Sequence, residues 1–353
     1  MKVAFTSVFL NPSTTWATAV SSWSKEFYYF KKLFESIGYE VHFVGNKRKN
    51  GKDLDYYVHY KDVNFNDYNL VLFFGSNPIF FGGAMKPHTS EIVKLMAEYN
   101  GPVIQMLSDP KVLMGNPAKA LYKRFKICGD FIEKWNDINK RSHYLFPGKD
   151  ISKYTRGWTP ENVYQYDWFK YILSDILNLR FQPIIERKHV KKYDVVYYGN
   201  SNRGAFREKQ LRHYFPTDTN NLLIGYTSKH ITATQVSKVP HSQLLLKLDE
   251  CKVSIIVGDE EHLDNVITFR LYETLASDCL AAIQIEYDPN REIIQDEVLR
   301  DLLYVTNSED VKKLVNAFSE ELLERQKKEL CRLLKDKKTL LQEFKSAIDS
   351  MSI

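Results

Sequence analysis

Arginine and glutamate side chains follow a predicted strand in the segment GDEEHLDNVITFRLYETLASD, residues 258–278. The preceding run VSIIV, residues 253–257, is short, apolar and β-branched, which is typical of a buried strand. In the helix predicted after it, Arg270, Glu273 and Ser277 recur at i, i+3 and i+7 and share a face. Beyond a strand end, an arginine can neutralise a diphosphate and a glutamate can accept from both ribose hydroxyls. The alternative is an Arg270–Glu273 ion pair on a solvated face.

A second group of candidate anion ligands lies in the segment YGNSNRGAFR, residues 198–207. Glycine after a strand lets backbone amides approach an anion, and the predicted helix near Arg207 points its positive end the same way. Arg203 and Arg207 add charge, and Gly199 and Asn200 precede them. The spacing is neither GxGxxG nor a Walker A loop, so a tight turn with incidental arginines is the alternative.

Two acidic residues in the first half are candidates for proton transfer. Asp109 follows a predicted strand in the sequence LSDP, where a carboxylate suits a general base that takes a proton from a hydroxyl nucleophile. An Asp-Pro turn or a helix cap is the alternative. Glu26 lies near the start of the first predicted helix and is the second candidate, although a first-turn glutamate also simply favours the helix dipole.

Two aromatic residues stand beside two glycines in the loop NPIFFGG, residues 77–83. They are Phe80 and Phe81, followed by Gly82 and Gly83. Such aromatics can pack in a core, or they can stack or wedge against nucleic-acid bases.

Strand and helix patterns alternate in both halves of the chain, which implies parallel sheets with crossover helices. In the first half we predict strands over residues 3–7, 40–44, 70–74 and 103–107, and helices over 24–36, 89–99, 118–125 and 168–179. In the second half we predict strands over 195–198, 222–224, 253–257 and 280–285, and helices over 207–213, 242–250 and 266–277, the last capped by Asp264 or Asn265. The chain is strongly helical from residue 308 onward.

The domain boundary is predicted in the weakly structured, charged segment 182–192. A chain of 353 residues is too large for one ordinary core, so we expect a first domain over residues 1–182 and a second over 183–337. The amphipathic pattern over residues 338–349 predicts a terminal helix, which could cross back to brace the first domain.

Composition excludes several classes of protein. The net charge of +5 permits a polyanionic partner, but it is weaker than a dedicated nucleic-acid-binding domain usually shows. Only convergence of the local basic runs on one face would indicate DNA binding. The 4 cysteines show no CxxC spacing, so neither a disulfide framework nor a zinc site is indicated, and a reducing cytoplasm fits best. No segment has the apolar length of a membrane span, and residues 2–10 predict a strand and not a signal peptide.

Four blocks carry a family resemblance: IIVGDEEHLDNVITFRLYETLASD, YDVVYYGNSNRGAFREKQL, PIFFGG and SSWSKEFYYFKKLFESIGYEVHFV. They resemble the DNA β-glucosyltransferases of T-even bacteriophages, and the similarity runs through most of the chain. The resemblance implies the α/β GT-B architecture, in which two Rossmann-like, doubly wound parallel-sheet domains face a central cleft. It implies a DNA acceptor domain at 1–182, a UDP-sugar donor domain at 183–337, and a C-terminal helix at 338–353 that returns to the first domain.

The resemblance also implies roles for individual residues. It makes Asp109 the catalytic base and Glu26 a second acidic group near the sugar. It assigns UDP-sugar binding to Gly199, Asn200, Arg203, Arg207, Gly225, Lys238, Arg270 and Glu273, and DNA binding to Phe80, Phe81, Gly82 and Gly83. No DxD motif requires a metal and no metal ligand is assigned, although Mg²⁺ or Mn²⁺ could activate the reaction.

The implied reaction is inverting transfer of a sugar from a UDP-sugar to the hydroxymethyl group of 5-hydroxymethylcytosine in double-stranded phage DNA. Glucose is the leading candidate for the sugar. The target base would be flipped out of the duplex. We expect a monomer without a permanently bound cofactor or a membrane contact, acting in the cytoplasm of the infected bacterial host to evade restriction. The alternatives are a pentose (arabinose) donor, a non-DNA acceptor, and a non-catalytic binder of modified DNA.

Overall fold

The structure is a computed structural model that describes residues 1–6, 22–45, 56–74, 87–106, 129–148, 161–180, 190–199, 204–258 and 268–351. The chain divides into two compact units. Of the described residues, the first unit contains those in 1–6, 23–168 and 338–351, and the second contains Ser22 and those in 169–337.

The first unit is built on seven strands: β1 (Lys2–Thr6), β2 (Glu40–Gly45), β3 (Tyr57–His59), β4 (Leu70–Phe74), β5 (Val103–Met106), β6 (Ser142–Phe146) and β7 (Val163–Gln165). Every pair of neighbours is parallel, in the order β3-β2-β1-β4-β5-β6-β7. In the described part of this unit, the helices between these strands are α1 (Ser22–Ser36), α2 (Pro87–Glu98) and α3 (Gly129–Lys140). Most strand residues are apolar and buried on both faces, as expected for a parallel sheet covered by crossover helices.

The helix α4 (Trp168–Arg180) carries the chain from the first unit to the second. Trp168 is fully buried and its ring packs against Phe30 of the first unit, whereas Phe169 packs against Phe269 of the second. Residues 169–180, which the sequence prediction placed in a first domain ending at 182, group with the second unit.

The second unit repeats the same strand order with six strands: β8 (Tyr193–Tyr198), β9 (Asn221–Ile224), β10 (Thr234–Val236), β11 (Cys251–Ile256), β12 (Leu280–Gln284) and β13 (Tyr304–Val305). Their order across the sheet is β10-β9-β8-β11-β12-β13, again parallel throughout. Its helices are α5 (Gly204–Tyr214), α6 (His241–Asp249), α7 (Phe269–Leu275), α8 (Glu297–Leu303), α9 (Ser308–Ala317) and α10 (Glu320–Leu333). Both sheets thus have the strand order 3-2-1-4-5-6 of dinucleotide-binding folds, which confirms the predicted α/β class.

The last helix, α11 (Lys337–Ser350), packs in the core of the first unit. Phe344 on this helix has no exposed surface, and its ring lies 5.1 Å from the ring of Phe34 and 5.1 Å from that of Tyr166. Leu340 and Ile348 are buried on the same face. The predicted return of the C-terminal helix to the first domain is confirmed.

Most predicted elements lie within two residues of their observed bounds, and the strand at 70–74 matches fully. The helix predicted over 266–277 was wrong at its start, because Thr268 has an extended backbone (φ −81°, ψ 155°) and the helix begins at Phe269. At this start the Thr268 N–H donates to the Tyr287 hydroxyl. The predicted caps Asp264 and Asn265, and the helix at 118–125, lie outside the described residues.

None of the helices in the part of the chain that the structure describes is long and apolar enough to cross a membrane.

The packing of Phe344 yields a stability prediction. Phe344→Ala should lower the unfolding free energy of the first unit by about 3–5 kcal/mol, because it opens a cavity among three aromatic rings. The exposed Lys345→Ala on the same helix is the matched control and should change it by about 0.5 kcal/mol or less. Urea titration followed by circular dichroism measures both, and equal effects would show that α11 does not stabilise the unit.

Candidate functional site

The candidate site forms where two neighbouring strands of the second sheet end. β8 and β11 are neighbours in the sheet but not consecutive in the chain. After β8 the chain continues to β9 on one side of the pair, and after β11 it continues to β12 on the other side. Such a switch point opens a crevice beyond the strand ends, which is where α/β sheets bind their ligands. The helix α5 follows β8 in the chain, and α7 follows β11.

Two arginines from these two helices meet at one backbone carbonyl. Arg207 on α5 is 3% exposed, and its Nη1 donates to the Val257 carbonyl at 2.9 Å. Arg270 on α7 donates from Nη1 to the same carbonyl at 3.0 Å and from Nε to the Tyr198 carbonyl at 3.1 Å. Both guanidinium groups lie over the Tyr197 ring, with Cζ at 5.8 Å for Arg207 and 4.9 Å for Arg270. The bonds to these backbone carbonyls orient the two guanidinium groups.

Glu273 stands one helical turn after Arg270 and is almost completely buried, with 3% of its surface exposed. Its Oε1 lies 2.8 Å from Nδ1 of His241, and its Oε2 accepts from the Tyr198 hydroxyl at 2.9 Å. Burial, and then the negative charge of Glu273, raise the pKa of Tyr198 well above its usual value, so this phenol stays protonated. The alternative of a solvated Arg270–Glu273 face was therefore wrong, because Glu273 is buried in a hydrogen-bonded network.

Three further residues that were predicted to bind the UDP-sugar lie together beside the end of β8. Gly225 follows β9 with φ +68°, and its N–H donates to the Val236 carbonyl at 2.9 Å. A Cβ atom at Gly225 would lie 2.7 Å from the carbonyl oxygen of Gly199 and 2.6 Å from Cγ of Lys238. Gly199, Gly225 and Lys238 therefore form one wall, in which glycine allows the backbone of two strand ends to approach.

The structure brings together six of the predicted donor-site residues in the second unit: Gly199, Arg207, Gly225, Lys238, Arg270 and Glu273. Asn200 and Arg203 lie outside the described residues, as do Asp109 and the predicted DNA-binding residues Phe80, Phe81, Gly82 and Gly83.

Glu26 lies in the first unit and is 2% exposed. Its Oε1 accepts from Nε1 of Trp168 at 3.2 Å. Because α1 begins at Ser22, Glu26 falls after the first helical turn, so the helix-dipole interpretation was wrong.

Sequence reasoning missed Tyr197, Tyr198 and His241. The two tyrosines end β8 on opposite faces of the strand, and the pair YY before a glycine was their only signal. His241 begins α6 after Pro240 and carries no motif, so only the tertiary structure places it beside Glu273. Among the described residues, no group of three histidine, cysteine, aspartate or glutamate side chains is arranged to hold a metal ion.

Known proteins that are similar to this chain were found both by sequence and by structure. The chain is similar to a DNA β-glucosyltransferase. That relative, from Enterobacteria phage T4, is 24% identical over 321 residues, covering 83% of each protein. The structure of the T4 phage enzyme in complex with UDP and Mn²⁺ superposes with a TM-score of 0.72 and 22% identity, covering 99% of this chain and 100% of the other.

A more distant structure has the same fold. An α-glucosyltransferase in complex with UDP-glucose and DNA containing an abasic site gives a TM-score of 0.56 and 12% identity, covering 100% of this chain and 99% of the other. No protein-family model matches the chain. These similarities establish the GT-B fold that the sequence predicted.

The close approach at Gly225 generates a test. Gly38 also has a positive φ, +92°, but a Cβ atom added there would have no neighbour within 4 Å, so Gly38→Ala should cost only the left-handed strain, about 1 kcal/mol. Gly225→Ala should cost more, roughly 2–3 kcal/mol, because its methyl group also meets the Gly199 carbonyl. Thermal and urea unfolding measure the difference, and equal costs would mean that the wall of the site can relax.

Proposed function

We propose that the protein is an inverting, UDP-sugar-dependent glycosyltransferase that moves glucose to the hydroxymethyl group of 5-hydroxymethylcytosine in double-stranded DNA. The observation that carries the proposal is the convergence of Arg207 and Arg270 on the Val257 carbonyl beside the buried Glu273. Two fixed cations next to a carboxylate, at the switch point of a parallel sheet, suit a nucleoside diphosphate.

The donor half of the reaction rests on residues of the second unit. Arg207 and Arg270 would bind the diphosphate and stabilise it as UDP departs, because negative charge develops on the leaving phosphate. Arg203, which precedes α5 in sequence, would add a third cation. Glu273 would accept from the ribose hydroxyls, and the wall of Gly199, Gly225 and Lys238 would line the uridine pocket.

The acceptor half rests on the first half of the sequence. Asp109 would take the proton from the hydroxymethyl oxygen as that oxygen attacks the anomeric carbon, and Glu26 would lie near the sugar. Because the acceptor base is stacked inside a duplex, it must be flipped out, and Phe80 or Phe81 of the segment PIFFGG would support the vacated stack.

DNA and a UDP-sugar as partners are supported by the similar proteins, whose names include a DNA β-glucosyltransferase and a complex with UDP-glucose and DNA. The structure of a T4 enzyme with UDP and Mn²⁺ supports a divalent cation as an activator. A monomer acting in the cytoplasm of an infected bacterium remains our prediction.

Product analysis tests the proposal. The protein is incubated with duplex DNA containing 5-hydroxymethylcytosine, 5-methylcytosine or cytosine and with UDP-glucose or UDP-arabinose, and the digested nucleosides are weighed by mass spectrometry. We expect a hexose on 5-hydroxymethylcytosine only. A mass increase of a pentose would show that the donor is UDP-arabinose. Transfer to an added carbohydrate, with the DNA left unmodified, would show that the acceptor is not DNA. UDP binding without any transfer would show that the protein is a non-catalytic binding protein.

The role of Asp109 is tested separately. Asp109→Asn keeps the side-chain shape but removes the base, so transfer should fall by about 10²–10⁴-fold while UDP affinity stays within about twofold. Single-turnover transfer and calorimetric titration with UDP measure the two effects. Near-normal turnover would show that another group accepts the proton.

A further inference from the structure

Glu273 has a demanding task in the proposed function, because one carboxylate must meet two neighbouring ribose hydroxyls. A glutamate side chain has three rotatable bonds, so an unsupported carboxylate would lose much of its binding energy to ordering. The structure shows that Glu273 is supported from two other elements, α6 and β8. All of these residues belong to the second unit.

The support from β8 is shared between two acceptors. The Tyr198 hydroxyl lies 2.9 Å from Oε2 of Glu273 and 3.0 Å from the backbone carbonyl of Arg270. A phenol has one hydrogen to donate, so these two acceptors compete for it. Tyr198 alone therefore does not fix the carboxylate.

The support from α6 comes from a rigidly placed imidazole. His241 is the first residue of α6 and follows Pro240, whose ring restricts the backbone at the helix start (φ −56°). Its side chain is 1% exposed, and its ring lies 5.6 Å from the ring of Phe269 at an interplanar angle of 37°. Its Nδ1 lies 2.8 Å from Oε1 of Glu273. Because an ionised carboxylate only accepts, Nδ1 carries the hydrogen.

We propose that His241 is a positioning residue, which holds the Glu273 carboxylate in the orientation that receives the ribose hydroxyls of the donor nucleotide. The bonds to His241 and Tyr198 reach different oxygens of the carboxylate, so together they fix the plane in which its lone pairs lie. A carboxylate held in one plane receives two neighbouring hydroxyls at a smaller entropic cost than a freely rotating one. The inference rests on the proposed function, because it needs Glu273 to bind ribose.

Calorimetric titration with UDP and with 2′,3′-dideoxy-UDP tests the proposal in the full-length protein. His241→Leu removes the donor with little change in volume, and it should weaken UDP binding by about tenfold while dideoxy-UDP binding changes by less than about threefold. The preference of the wild type for UDP over the dideoxy ligand should therefore shrink. With UDP-glucose and DNA, KM should rise much more than kcat falls.

Two kinds of control separate positioning from folding. Gln326→Leu removes another buried polar side chain of the second unit, which bonds Cys279 and Ala281 away from the site, and it should leave the ligand preference unchanged. If His241→Leu does not fold, His241→Asn and His241→Gln replace it. An asparagine amide can occupy the Nδ1 position, whereas a glutamine amide falls near Nε2, so Asn should retain the preference and Gln should lose it.

The outcomes distinguish the inference from the function it rests on. A wild-type protein that binds UDP and dideoxy-UDP equally would refute ribose binding by Glu273. A wild type that prefers UDP, together with a His241→Leu variant that loses affinity for both ligands in parallel, would overturn the role of His241 alone. Equal behaviour of the Asn and Gln variants would overturn it as well.

Discussion

The adjacency of β8 and β11 in the second sheet is the constraint on which the candidate site depends. Parallel strands present their carbonyl ends at one edge, and at this pair the connections leave in opposite directions. The Val257 carbonyl, just beyond β11, therefore lies within reach of an arginine from α5 and another from α7. Both guanidinium groups also lie over the Tyr197 ring, which helps to orient them.

Burial of Glu273 follows from the same arrangement. An isolated buried carboxylate would be strongly destabilising, so it must be compensated by donors. The end of β8 supplies the Tyr198 hydroxyl and the start of α6 supplies the His241 imidazole. Donors from two elements thus hold the carboxylate in one position.

The helix α11 contributes to the core of the first unit. Phe344 on α11 packs against Phe30, Phe34 and Tyr166, so the core of this unit contains residues distant in sequence. Its strand order is the same as that of the second sheet, and the segments 75–86 and 107–128, which contain PIFFGG and Asp109, directly follow β4 and β5.

The sequence by itself determined the fold class and much of the candidate site. Apolar β-branched runs such as residues 70–74 define strands because both faces of a parallel strand are buried, and the helical spacing of Arg270 and Glu273 puts them on one face. Family resemblance supplied the predicted roles of Gly225 and Lys238, which local patterns do not indicate.

Only the tertiary structure decided the rest. The Tyr287 hydroxyl accepts from the Thr268 N–H just before α7, Phe169 packs against Phe269, and His241 bonds Glu273. Each of these contacts joins residues far apart in the chain. Secondary-structure periodicity reports the local hydrophobic face of an element, whereas long-range contacts depend on how the elements pack, and no local pattern encodes them.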